Sequence, residues 1–300
     1  MSDEYEIKRN IPVQSPILPK ELRPDSTFQF DCHKGIACFN ACCKNIDITL
    51  TPYDIIRLKN RLGLDSKEFV GRYTAPFAMD HHNLPGLKMV TKPNMTECIH
   101  LTEEGCGVYE DRPAACRYYA LGSMAIRKKE STRVDNIYFV VKEEHCLGHF
   151  EPREQTVANY RHEQGIEKYD EMNHEWYEII LKKRSSGPTV GAPSQRSLQI
   201  FDMCSYDMDS FAQFIQSSGF QSIFAVSEEE TRMLLEDEEK LLQFSMRFLK
   251  QVLYGETTIP VREKARERRT SERKEVWTLR KEEAVREWRE QQEEDKYREG

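Results

Sequence analysis

Cys32-His-Lys-Gly-Ile-Ala-Cys38-Phe-Asn-Ala-Cys42-Cys43 places four cysteines in one short stretch and ends on an adjacent pair. The series continues with Cys98-x7-Cys106-x9-Cys116 and then Cys146, so eight of the nine cysteines fall between Cys32 and Cys146, with Cys204 standing alone. Thiolates bind soft and borderline metals, and four of them hold Zn²⁺ or an iron–sulfur cluster in similar arrangements. Eight candidates therefore allow one polynuclear centre or two metal sites. The spacing does not choose the metal, because it is neither the Cys-x2-Cys knuckle of a zinc ribbon nor the bacterial ferredoxin run. Adjacent side chains tend to point in different directions, so Cys42 and Cys43 are expected to serve two metals or opposite sides of one polynuclear centre. That expectation favours a cluster over a lone zinc ion.

The compartment bears on the same question. The N-terminal stretch is acidic and broken by proline, without the apolar run of a signal peptide or a twin-arginine start, and the expected location is the cytoplasm. In a reducing compartment clustered cysteines are metal ligands or catalytic thiols more often than disulfides. The apolar run Ile137-Tyr-Phe-Val-Val141 is far shorter than the roughly 20 residues that cross a bilayer, so no membrane partner is expected. A formal charge of −7, from 44 basic and 51 acidic residues, argues against a nucleic-acid partner. Cys204 sits in the apolar stretch Ile200-Phe-Asp-Met-Cys-Ser-Tyr206 and reads as core filling.

Four regions follow from composition and punctuation. Residues 1–27 form an extended lead-in interrupted by Pro12, Pro16, Pro19 and Pro24, and residues 28–150 form a small loop-rich metal-binding domain. Residues 151–255 form a helical extension packing on it, and 256–300 a charged helical tail. The fold class is α+β, with short strands in the cysteine region at 46–50, 87–91, 124–127 and 137–142. Thr51-Pro-Tyr-Asp54 opens a helix with Thr as N-cap and Pro at the first position, and Gly63 stops it. Asp65-Ser-Lys-Glu68 opens a second, ended by Pro76. Further helices are expected at 154–164, 167–184, 196–218 and 228–254, the last with a wide apolar face. In the tail, Trp277, Ala284 and Trp288 share one helical side and Glu282 pairs with Arg286, a solvated helix or a docking helix for a protein partner.

Ligated thiolates accumulate negative charge that cations and N–H donors offset. Arg112 and Arg117 flank Cys116 and are candidates for that role, and Pro113 fits the first turn of a helix whose free N–H groups could face sulfur. Gly105 and Gly107 bracket Cys106 and predict a tight turn. His33, His100, His145 and His149 lie near cysteines but are left out of the ligand set. Nucleotide-loop, zinc-protease and serine-hydrolase motifs do not occur.

Phe30-Asp-Cys32 through Ala41-Cys-Cys43, Cys98-Ile-His-Leu101, Gly105-Cys-Gly-Val-Tyr109 and Arg112-Pro-Ala-Ala-Cys-Arg117 together resemble the YkgJ-type cysteine-cluster family, the CxxCxxCC or zinc- and iron-chelating domain. Thr51-Pro-Tyr-Asp54 and Phe69-Val-x-x-Tyr73 are similar to it as well, and the match spans about 28–150. The family opens on a tighter Cys-x-x-Cys-x-x-Cys-Cys; here Cys38 lies four residues before Cys42, and an insertion separates it from Cys32. Cys146-Leu-Gly148 is similar to a Cys-Pro-Gly element of longer members. The resemblance implies a zinc or iron centre held by Cys32, Cys38, Cys42, Cys43, Cys98, Cys106, Cys116 and Cys146. Three functions follow as expectations: an iron–sulfur protein with a redox or protein-modification role, a structural zinc module whose helical half binds a protein partner, or an S-adenosylmethionine-dependent lysine methyltransferase resembling the flagellin lysine methylases.

Overall fold

Thr51 and Asp54 exchange reciprocal hydrogen bonds at the start of helix α1 (Pro52–Leu62), as the sequence expects. Pro52 supplies a fixed φ where no N–H is needed, and Gly63 closes the helix at φ 66°, a left-handed value that glycine adopts without strain. In this computed structural model residues 16–18, 20–79, 84–127, 134–185, 193–265 and 267 are described. Strand β1 (Thr27–Gln29), a 3-10 turn at Ala41–Cys43 and strand β2 (Thr49–Leu50) precede α1. Then come α2 (Ser66–Tyr73), β3 (Thr74–Ala78), β4 (Pro85–Met89), β5 (Leu101–Thr102), β6 (Gly105–Cys106) and α3 (Ala114–Tyr118). The hairpin β7 (Leu121–Arg127) and β8 (Val134–Val140) leads to β9 (Glu154–Thr156), α4 (Val157–Glu163) and α5 (Ile166–Ser185). The chain continues through α6 (Gln195–Tyr206), α7 (Met208–Gln216), α8 (Ser218–Ile223), α9 (Glu228–Glu236) and α10 (Glu238–Tyr254).

The strands make small separate antiparallel sheets, β1-β9, β2-β4-β3, β5-β6 and β7-β8, and the fold is α+β. Two hydrophobic cores result. The larger joins α1, α2 and β4 to the helices from α5 onward, with Tyr53, Leu58, Phe69, Trp176, Phe201 and Leu242 among its buried members. Its centre is aromatic: Phe211 packs on Phe214, Phe244 and Phe248, and Phe220 stacks on Phe224 at 4.6 Å. The smaller core gathers Leu22, Phe28, Phe30, Leu121, Tyr138 and Tyr160 around β1, β7-β8 and α4.

Several elements differ from expectation, each for a physical reason. Residues 154–156 are a strand rather than the first turn of a helix, because they pair with Thr27–Gln29; Thr156 then caps α4 through Asn159. That pairing crosses the boundary expected at 150. Pro76 lies inside β3 rather than merely ending α2, and β3 is an edge strand where a missing N–H is tolerated. The helix expected over 196–218 breaks at Asp207 and Ser217, and that over 228–254 breaks at Asp237. In each case the side chain accepts a backbone N–H and starts a new helix, which competes with continuation of the old one. The apolar face of α10 packs on α6, α5 and α1. The expectations for residues 1–15, His81-His82, most of the 185–194 loop and the Trp277–Trp288 tail lie outside the described residues.

Phe211 is wholly buried among aromatic neighbours. Phe211→Ala is expected to lower the free energy of unfolding by about 3–5 kcal/mol in urea titration. A loss below about 1 kcal/mol would mean that this core carries little of the stability.

Candidate metal centre

The first cysteine segment leaves β1 and is fastened to the last. Asp31 N donates to Gly148 O at 3.0 Å, and Phe30 N to Arg153 O at 3.0 Å, bringing Cys32 beside the Cys146 turn. Gly148 is required there, since a Cβ would stand 2.5 Å from the Asp31 carbonyl oxygen and 2.7 Å from the Phe30 ring. Leu147 N donates to the Cys38 sulfur at 3.2 Å, which ties Cys38 to the same turn. Tight turns then carry the chain through Cys38, with Asn40 left-handed at φ 66°, into the 3-10 turn that holds Cys42 and Cys43.

The second group is assembled differently. Cys98 N donates to Cys43 O at 2.8 Å, and Cys98 bridges Thr91. The β5-β6 hairpin, closed by Gly105 at φ 127°, sets Cys106 opposite Leu101. Backbone hydrogen bonding at His100 and Leu101 lowers the Cys98 thiol against its burial, and that at Val108 does the same for Cys106, while Leu101 N also donates to Cys98 O at 3.0 Å. Such N–H donors favour the thiolate form that a metal needs. Cys116 comes from α3 and is held near Cys98, Cys106 and Cys42.

Asp54 positions α3, a role the sequence concealed. One carboxylate oxygen accepts Thr51 N at 2.7 Å, and the other accepts Ala114 N at 2.8 Å. The start of the cysteine-bearing helix is therefore capped by α1; the expectation that its free N–H groups face sulfur fails at Ala114. Asp54 is fully buried, and burial pushes its carboxyl up to about 6 against the pull of these N–H groups. The sequence placed Asp54 only in the opening turn of α1; its partner Ala114 is 60 residues away.

Arg112 and Arg117 are both buried. Arg112 donates to Tyr109 O and Gln164 Oε1, and Arg117 to Arg112 O, Gln164 O and Glu110 O. These bonds run to backbone and amide oxygen rather than to sulfur. The Arg112 charge nonetheless favours the Cys106 thiolate. Both arginines clamp the Cys116 helix to the end of α4, which belongs to the smaller core. Tyr119, another residue the sequence did not single out, lies beside Cys146 and Glu143.

The thiols influence one another strongly. Cys42 is drawn down to about 7 by a hydrogen bond from the Cys43 thiol, while Cys43 is pushed up by the same bond and by burial. The pair is thus in contact, closer than alternating side chains would suggest. Cys32 rises to about 11 through burial and the nearby Cys42, Cys38 and Cys146; burial first, and neighbouring thiols next, raise Cys116. A divalent cation would relieve this repulsion by replacing the protons. Cys98 and Cys106 pack against the larger core, whereas Cys146 belongs to the smaller, so the thiols occupy the seam between the two.

The histidines have other occupations. His149 Nε2 meets Val141 O at 3.0 Å, His33 accepts Gly35 N, and His100 stacks on Tyr73. Cys204 is fully buried in the larger core, away from the thiol group. Among the described residues, a group of three metal-type donors within 4.8 Å of one another occurs at His174, Glu175 and Glu178, but there Lys250 already pairs with both carboxylates.

Residues 31–173 match the family model of the CxxCxxCC domain, described as zinc- or iron-chelating. Over this segment, just under half of the chain, the protein is similar to the CxxCxxCC family. The match holds every cysteine of the seam and extends past 150 through α4 into α5. No curated protein and no solved structure matches the chain. The matched domain is described as zinc- or iron-chelating, and the donor set described above suits such an ion: clustered sulfurs, backbone hydrogen bonding that favours thiolate and a nearby guanidinium. No helix among the described residues is long and apolar enough to cross a membrane.

Asp54→Ala removes the acceptor for two buried N–H groups and is expected to cost about 1–3 kcal/mol for each in urea unfolding. Asp54→Asn, which retains one carbonyl oxygen, should lose roughly half as much. Equal stability of wild type and Asp54→Ala would rule out the carboxylate as the link between α1 and α3.

Proposed function

We propose that the CxxCxxCC segment holds an iron–sulfur centre in the cytoplasm and serves a redox or protein-modification reaction. One observation carries the reading: the sulfurs crowd together without converging on a point. A tetrahedral zinc at about 2.3 Å from each sulfur keeps its ligands about 3.8 Å apart. Among the described residues no three thiol sulfurs fall within 4.8 Å of one another. A polynuclear centre spreads its ligands more widely, and the N–H donors at Cys98 and Cys106 suit its negative charge. When bound, such a centre supplies one-electron transfer. The chain's own residues keep it in place: Asp54 fixes the Cys116 helix, Gly148 admits Cys32 to the Cys146 turn, and Arg112 offsets thiolate charge.

The competing reading, a structural zinc module, draws on the position of the thiols at the seam of two cores, where any metal would contribute folding energy. In that reading the exposed Met233 and Leu235 on α9 are the place for a protein partner. Anaerobic purification followed by iron and acid-labile sulfide analysis separates the two. Brown protein with iron and sulfide in near-equal amounts is expected; colourless protein containing stoichiometric zinc would overturn the iron–sulfur reading. Calorimetry of the metal-loaded protein with S-adenosylmethionine tests whether the modification is methyl transfer, and absence of binding would exclude it.

A further inference from the structure

We infer that the Met233 side of α9 is the docking site for this chain's own basic segment, residues 266–281. The inference is independent of what the thiols bind.

Helix α9 is thinly packed for its length. Leu234 is its one buried side chain, whereas Met233 is 45% exposed. Residues three and four apart share a side of a helix, so Met233 stands among Glu229, Glu230 and Glu236. No ion pair joins these three carboxylates to a described residue. Glu238 and Glu239, at the start of α10, are by contrast held by Lys59 and Lys168. An exposed methionine ringed by unpaired carboxylates fits a segment that is both basic and apolar. Leu235 is exposed on the opposite flank, but that flank also carries Arg232, which disfavours a basic occupant there.

The chain carries such a segment and delivers it to this place. Residues 266–281 hold seven basic and three acidic side chains, with Trp277 and Leu279 among them. Residues 282–300 hold eight acidic and four basic ones, so repulsion confines the match to the first half of the tail. Ala225 N donates to Pro260 O at 2.8 Å, Arg262 N donates to Ile223 O at 2.9 Å, and Phe224 bridges Val261. The chain therefore enters its basic segment beside residues 223–225, directly ahead of the Ser227 cap of α9. Reach is not limiting. The nine residues of α9 span about 13 Å, and sixteen residues reach about 24 Å even when helical. A tethered segment also meets its site at an effective concentration on the order of millimolar, so modest charge and apolar contacts suffice. A protein partner at Met233 would have to displace the tail.

Zero-length carbodiimide coupling of the full chain, read by peptide mass spectrometry, tests this. An equal mixture of ¹⁴N- and ¹⁵N-labelled chains separates links within one chain from links between two. Links within one chain from Glu229, Glu230 or Glu236 to Lys274 or Lys281 are expected. They should fall several-fold at about 1 M salt, where charges act over only about 3 Å. Links between chains alone would assign the site to a second copy and overturn the inference. Links from Lys274 and Lys281 to other carboxylates but none to α9, or links indifferent to salt, would overturn it too.

The double variant Glu229→Lys/Glu236→Lys supplies a second readout, since both side chains are exposed. Trypsin cleavage after Arg273 and Lys274 is expected to quicken several-fold in it, with helical circular dichroism unchanged. Cleavage at the wild-type rate would overturn the inference; if the variant does not fold, the wild-type cross-link map decides.

Discussion

Crowding of eight thiols at the seam of two hydrophobic cores is the constraint on which the rest of this structure depends. As thiolates they repel one another; as thiols they bury weak hydrogen-bonding groups where better packing was available. Desolvation and the neighbouring thiols push Cys32 and Cys116 above the ordinary thiol range, while a hydrogen bond from Cys43 pulls Cys42 down. A bound metal resolves this conflict, because ligation replaces protons with a cation shared among the sulfurs.

Both cores are built to bring the sulfurs together. The larger contributes α1, whose N-terminal carboxylate Asp54 caps the Cys116 helix, and the Thr91–Cys98 bridge that leads into the Cys106 hairpin. The smaller contributes β1-β9 and the Cys146 turn, where Gly148 permits a close backbone approach. Arg112 and Arg117 cross between them, holding α3 to the end of α4 through Gln164. Thiol cluster, carboxylate cap and arginine clamp thus meet at the same junction.

Much of this was legible in the chain and some could not be. The cysteine order, the Thr51 cap, the Gly63 stop and the burial of Cys204 follow from residue type and short spacing, which local physics decides. The β1-β9 pairing was not legible, because it joins residues more than a hundred positions apart and overrides the helical reading of 154–156. The breaks at Asp207 and Asp237 were missed because apolar periodicity continues across them while a side-chain cap interrupts the backbone. At the site, Arg112 and Arg117 were found for their charge, but their hydrogen bonds are architectural. Asp54, in the sequence only part of the opening turn of α1, accepts N–H groups at the starts of two helices. Such second partners are set by tertiary placement, which no local pattern encodes.

Hydrogen exchange of the full chain, with metal bound and after anaerobic removal, tests most directly the claim that the centre joins the two cores. Metal removal is expected to speed exchange in the Cys32–Cys43 and Cys98–Cys116 segments and in the smaller core around Tyr138 and Tyr160. The aromatic core around Phe211 and Phe248 should stay protected. Unchanged exchange at Tyr138 and Tyr160 would contradict the account, because the smaller core would then stand without the metal at its seam.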